Sequence, residues 1–277
     1  MTDLFTVEWF GGVAEHHYRK ARPEDDLPWE SLNASDYPES LVAGAREVWT
    51  GIALSEYAAV SSFAAVVHAL AAARAPLDLI GMTSDFLADE VHHVELASRL
   101  LMRLGGAAPR TFEHQRLSPM TPAQLTPFQR ASELALRIGC IAETFASTTA
   151  VPMMKGSGHP LVRAVYETIL RDEARHKRFG SLYFEWAGPH LDAHERKRLG
   201  LVAIDAMRQY VGMWRQAEAA PPPPAEWKTD QVHELGWFEP ERYAPLAQHA
   251  IVDVIVPELR ELGIDLPEDE LAALLAG

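Results

Sequence analysis

Apolar residues recur at three- and four-residue spacing along most of the chain. No useful stretch alternates apolar with polar as a half-buried strand would. The pattern predicts an all-α protein. A first long helix starts at Pro38, a favourable first-turn residue, and runs to about Arg74, before Pro76. A second spans about Asp78 to Leu104 and stops at Gly105-Gly106. Residues 107–125 read as a loop containing three prolines. The third helix opens with Thr126-Pro127-Phe128-Gln129, a capping box with proline in the first turn, and ends near Met154. A fourth opens at Pro160 and ends at Gly188-Pro189, and a fifth covers Asp192 to Ala219.

These boundaries divide the chain into three parts. Residues 1–35 form an irregular arm with room for one short helix, broken by Pro23, Pro28 and Asn33 and anchored by Phe5, Trp9, Phe10 and Trp29. Residues 36–220 form a bundle of four long helices plus the fifth. Residues 221–277 begin with a stiff run, Pro221 to Pro224, then give helices at about Pro240–Leu262 and Pro267–Leu275 packed on the bundle. The long helices pair as one–two and three–four, like two helical hairpins.

Two of the twelve histidines have a glutamate three residues before them. They are His93, in Asp89-Glu90-Val91-His92-His93, and His176, in Asp172-Glu173-Ala174-Arg175-His176. Residues three apart share a helix face, so each pair can offer an oxygen and a nitrogen to one metal ion. One Glu-x-x-His alone is weak, because surface helices are rich in glutamate. Two copies, each preceded by aspartate and each on an alternate long helix, are far more specific.

The other two long helices each add one carboxylate. Glu56 is the only acidic residue between Val48 and Ala73, and Glu143 the only one between Leu134 and Met154. Both lie on apolar stripes, where a lone carboxylate is costly unless a cation meets it. An arginine such as Arg137 or Arg163 could be that cation for either residue taken singly. Taken with the two motifs, they complete a set of four carboxylates and two imidazoles, which suits iron or manganese better than zinc. Four negative charges balance two divalent ions. A ligating imidazole usually donates its second N–H to a carboxylate. Asp172 is expected to orient His93, and Asp89 to orient His176.

One Glu from each of two helices plus Glu-x-x-His from each of the other two is the ligand pattern of ferritin-like di-iron bundles. The chain resembles that superfamily from 38 to 187. The likeness is greatest at Asp89–Leu96 and from His159-Pro160 through Asp172-Glu173-Ala174-Arg175-His176 to Gly180. The resemblance implies a cofactor of two iron ions, or an Mn/Fe pair, held by Glu56, Glu90, His93, Glu143, Glu173 and His176. It implies O2 activation with an external electron donor and a small organic substrate, which would be hydroxylated, N-oxygenated or desaturated. The same ligands would also serve an iron-oxidising protein with no organic substrate. The branch that N-oxygenates aryl amines is nearest in helix layout. That branch carries a further histidine one turn before the last glutamate, where this chain has Ile169.

Gly139 and Cys140 fall about one turn before Glu143, Ser147 one turn after it, and Tyr166 two turns before Glu173. Small residues there would leave space for a substrate, or would serve close helix packing. Thr144 and Thr148 are further hydroxyls near Glu143. His92 and His68 point roughly 100° or more away from the ligand direction. Glu95 reads as a surface or supporting acid. Arg99, Arg103, Arg171, Arg175, Lys177 and Arg178 read as a solvated face or as ion-pair partners.

Composition narrows the partners. Hydrophobic residues make up 48% of the 277, enough for a large core, and the net charge is −14. An acidic balance disfavours nucleic acid and anionic membrane alike. Cys140 is the single cysteine, so neither a disulfide within the chain nor a cysteine-based zinc site can form. The first residues lack a secretory pattern, no uninterrupted apolar run reaches bilayer length, and a cytoplasmic protein is expected. The arm and tail offer surfaces for a homodimer.

Overall fold

The computed structural model describes residues 2–22, 24, 26–113 and 121–276. Pro23 and residues 114–120 of the expected loop lie outside the described residues. The elements run β1 (Thr2–Leu4), α1 (Gly12–Ala21), α2 (Glu39–Ala72), α3 (Leu77–Arg103), β2 (Thr111–Glu113), α4 (Pro127–Leu134), α5 (Glu143–Gly156), α6 (Pro160–Ala187) and α7 (Ala193–Glu218). The tail adds α8 (Thr229–Glu234), α9 (Pro240–His249), α10 (Val256–Glu261) and α11 (Glu268–Ala276). It is a ferritin-like helical bundle: α2 packs along α3, α5 along α6, and α3 crosses α6.

The helix ends follow from local chemistry. The Thr126 hydroxyl accepts from the Gln129 amide, and the Gln129 side chain accepts from the Thr126 amide, closing the capping box. Asp192 caps α7 through the Glu195 amide. Gly105 and Gly106 adopt φ of 93° and 105°, and the Gly106 amide reaches back to the Leu101 carbonyl to end α3.

Three features depart from the sequence reading. β1 and β2 form a small antiparallel ladder, Thr2 opposite Glu113, where no strand was expected. Three-residue strands joined from distant parts of the chain are too short to show an alternation. The third helix is not uniform: Ala135–Ala142 is π-helical between α4 and α5. The helix expected over 240–262 is interrupted in the same way at Ala250–Ile255, just before Pro257. Hydrogen bonds from i to i+5 take up more residues per turn, which shifts the face presented by everything downstream.

Two apolar clusters flank the middle of the bundle. One holds Phe63, Phe86, Ile141, Phe179 and Tyr183 and continues into the tail at Ile251 and Leu259. The other holds Leu41, Trp49, Leu96, Leu100, Val162 and Tyr166 with Val232 and Leu235 of the tail. The tail is also hydrogen-bonded to the bundle: the Trp49 indole donates to the Leu235 carbonyl (2.8 Å) and the Tyr166 hydroxyl to the Gly236 carbonyl (2.6 Å). A buried ion-pair network joins α4 to α7, with Arg198 bound to both Glu133 (2.7 Å) and Glu195 (2.8 Å). The helix α2 and the stretch Pro127–Gly156 are long and apolar enough to cross a membrane. Each packs within the bundle and carries one of the carboxylates described below.

The π-helical segment rests on α6 at backbone distance. A Cβ added at Gly180 would lie 2.6 Å from the Cys140 Sγ and 2.8 Å from the Gly139 carbonyl carbon. Neither atom is the end of a flexible chain. Gly180→Ala is therefore expected to destabilise the protein by about 2 kcal/mol through overpacking. Denaturant unfolding followed by circular dichroism checks this, and an unchanged midpoint would refute the close crossing.

Candidate metal centre

Four helical segments bring six side chains to one point. Glu56 comes from α2, Glu90 and His93 from α3, Glu143 from the start of α5, and Glu173 and His176 from α6. Their donor atoms fall into two groups: Glu56, Glu90, His93 and Glu173, then Glu90, Glu143 and His176, with the atoms of each group within 4.8 Å of one another.

The distances show how the groups are joined. His93 Nδ1 lies 3.4 Å from Glu56 Oε2, 3.6 Å from Glu90 Oε2 and 3.2 Å from Glu173 Oε1. His176 Nδ1 lies 3.0 Å from Glu90 Oε1, 3.4 Å from Glu173 Oε2 and 3.9 Å from Glu143 Oε2. Glu90 belongs to both groups, and Glu173, a member of the first, turns its other oxygen toward His176 of the second. Glu56 and Glu143 serve one group each. The arrangement is close to two-fold, as expected from two copies of the same motif on facing helices.

Both imidazoles are fully buried, and the four carboxylates range from 1% exposed at Glu90 to 17% at Glu56. Among the described residues, both Glu90 oxygens, Glu173 Oε2, His93 Nδ1 and His176 Nδ1 have no hydrogen-bond partner of acceptable geometry. Buried polar atoms are normally satisfied, and leaving this many without partners at one place is costly. All of them face a common space, and the donor set fits two divalent cations. The cluster is able to bind metal.

Its proton affinities point the same way. Burial pushes the Glu56 carboxyl up to about 8, with His93 opposing and Glu90 adding to the rise. Burial, reinforced by Glu173, also holds Glu143 well above the ordinary carboxylate range. At the imidazoles burial works against the charged form but is outweighed by the carboxylates around them. His93 is raised well above its usual value and His176 to about 12. Glu173 is lowered despite its burial, because His176 and His93 both face it.

The outer imidazole nitrogens meet the two aspartates in crossed pairs. His176 Nε2 lies 3.1 Å from Asp89 Oδ2, and His93 Nε2 lies 3.5 Å from Asp172 Oδ2. The Arg175 guanidinium donates to both aspartates, at 3.1 Å to Asp89 and 3.0 Å to Asp172. Its link to Asp172 follows from the i,i+3 spacing; its link to Asp89 on another helix has no sequence signal. Arg22, which follows α1 in the arm, also binds Asp89. Phe86 lies against the His176 ring at 4.2 Å between centroids, with Phe63 at 5.4 Å.

Of the expected substrate-pocket residues, Gly139 and Cys140 pack against α6. A Cβ on Gly139 would meet Phe179 and the Gly180 backbone, and the Cys140 Sγ fills the gap over Gly180. Their small size serves the helix crossing. The π-helical turn before Glu143 is the reason, since a 3.6-residue period does not hold across it. Ser147 donates to the Thr144 carbonyl (3.3 Å), and the Tyr166 hydroxyl is committed to Gly236. Thr144 donates to Glu258 of the tail (3.3 Å). Ile169 is buried in the apolar cluster around Trp49. His68 is exposed, whereas His92 is buried beside His93. Glu95 is buried and paired with Arg19. Lys177 pairs with Glu258 (3.5 Å).

Residues 80–220 match the family described as p-aminobenzoate N-oxygenase AurF. A search of curated proteins found no match. The matched stretch holds both Asp-Glu-x-x-His motifs and Glu143, while Glu56, the arm and the tail lie outside it. The chain belongs to the AurF family of O2-dependent, ferritin-like di-iron oxygenases.

Proposed function

We propose that this protein is an N-oxygenase of small amines that uses two iron ions held by Glu56, Glu90, His93, Glu143, Glu173 and His176. The observation that carries the reading is the pair of spanning carboxylates, Glu90 and Glu173, each with one oxygen toward each imidazole. Such a pair suits two ions sharing ligands rather than two separate sites. The bound iron pair would supply the two-electron reduction of O2 that oxygenase chemistry requires, with electrons from an external donor.

The chain's own residues have clear parts in this reading. Glu90 and Glu173 would each offer one oxygen to either ion. Asp89, hydrogen-bonded to the outer nitrogen of His176, would keep it protonated and leave the inner nitrogen Nδ1 free to bind metal, and Asp172 lies 3.5 Å from the outer nitrogen of His93 for the same role. Phe63 and Phe86 exclude water beside His176. Glu56, the most exposed of the six, marks the side nearest solvent. The family description names an aryl amine with a carboxylate, and that class is the first to test.

Metal titration separates the ligands. After Fe(II) loading under nitrogen, the protein is expected to take up two ions per chain. Glu143→Gln should retain one, because Glu143 serves one group, whereas Glu90→Gln should weaken both. Equal behaviour of the two variants by calorimetry and metal analysis would contradict the spanning role of Glu90.

Loading should also release protons, since Glu56, Glu143, His93 and His176 are all shifted toward their protonated forms in the metal-free protein. Raised affinities for protons mean that metal affinity climbs with pH. The slope should fall by about one proton above pH about 8, where Glu56 is already ionised. Titrations in buffers of different ionisation enthalpy read the proton count directly; a pH-independent affinity would rule out these protonated ligands.

Activity is tested with the iron-loaded protein, a chemical reductant, O2 and p-aminobenzoate, following hydroxylamino or nitro product by mass spectrometry. Product dependent on iron and O2 supports the reading. Turnover of iron to ferric mineral with no oxidised amine from a panel of aryl and alkyl amines would overturn it in favour of an iron-oxidising protein.

A further inference from the structure

The N-terminal arm lies outside the matched stretch, yet one of its residues reaches the centre. Helix α1 is pinned along α3 by a row of polar contacts. The Tyr18 hydroxyl donates to Glu95 (3.0 Å), and Arg19 donates to both Glu95 oxygens (2.9 and 2.5 Å). Farther along the arm, Glu24 pairs with Arg99 (2.7 Å) and Glu30 with Arg103 (3.1 Å). The Arg99 guanidinium also stacks 4.2 Å above the Trp29 ring. These contacts hold the arm on α3 at several separate points, so that no single one of them is needed to place it, and Arg22 binds Asp89 Oδ1.

The two supporting aspartates are therefore held differently. Asp89 is fully buried; its Oδ2 meets His176 and Arg175, and its Oδ1 meets Arg22. Asp172 is 15% exposed and meets His93 and Arg175, with no contact to the arm among the described residues. Arg175, itself half exposed, is shared between the two. A buried carboxylate facing one imidazole and half an arginine is under-compensated, and a second cation offsets that cost. The carboxylate–imidazole distance is also shorter on this side, 3.1 Å against 3.5 Å.

We propose that Arg22 is a positioning residue that the arm contributes to the metal centre. It fixes Asp89 against His176 and makes the position built from Glu90, Glu143 and His176 the tighter of the two metal positions. The inference rests on the two-metal reading above. Partners that orient a ligating imidazole typically change metal affinity 10–100-fold when removed. Arg22 acts through Asp89 and touches neither ion nor substrate.

The test is Co(II) titration of the full-length metal-free protein, read by calorimetry and by the visible absorption of the bound ion. The wild type should show two steps of unequal affinity. Arg22→Gln should weaken the tighter step 10–100-fold and alter its absorption, leaving the weaker step within about twofold. Arg22→Lys should restore part of the loss. Arg19→Gln, which loosens the same arm at Glu95, should leave both steps within about twofold. If Arg22→Gln leaves two tight steps unaltered, or if Arg19→Gln weakens them equally, the positioning role is overturned while the two-metal reading stands. If the wild type takes up fewer than two ions, that reading falls and the inference with it.

Discussion

Four carboxylates and two imidazoles are packed between apolar clusters in the middle of this bundle, and the rest of the structure answers to that constraint. Burying one such charge without a partner costs several kcal/mol, and like charges at 3–4 Å cost more. Protons can meet part of the demand, which is why Glu56, Glu143 and both imidazoles hold them so firmly. Two divalent cations would meet it fully. The long helices supply the rigidity that keeps such a cluster from collapsing, and two of them, α2 and α6, are tied to the tail through Trp49 and Tyr166.

The centre is built from a repeated motif, and repetition produces its near two-fold form. Each Asp-Glu-x-x-His places a spanning glutamate, a histidine and an aspartate that reaches across to the other motif's histidine. Arg175 then ties the two aspartates together. The surroundings break the symmetry. Phe63 and Phe86 cover His176, Glu56 leaves its group nearer to solvent, and the arm adds a cation on one side only.

The π-helical turn before Glu143 is the clearest case of tertiary structure overriding a sequence pattern. Ala135–Ala142 reads as ordinary helix in its composition, and Gly139 and Cys140 fall on the ligand face when a 3.6-residue period is assumed. In the folded chain they meet Gly180 and Phe179. The extra residue per turn is held in place by the close crossing of α6, which no local signal encodes.

The sequence by itself determined the helical class, the helix ends and the six residues of the cluster. Those depend on short-range physics: the turn period, capping chemistry, and the cost of a lone acid on an apolar stripe. Residues three apart share a face in any helix, so Glu90 with His93 and Glu173 with His176 were legible before any fold was known. Only the tertiary structure decided which oxygen meets which nitrogen, that Gly139 and Cys140 pack rather than open a pocket, that β1 pairs with β2, and that Arg22 stands on Asp89. Each of these joins segments far apart in the chain, as Arg22 and Asp89 are at 67 residues. Such meetings are set by how helices cross and where an arm is pinned, and backbone propensity carries no record of either.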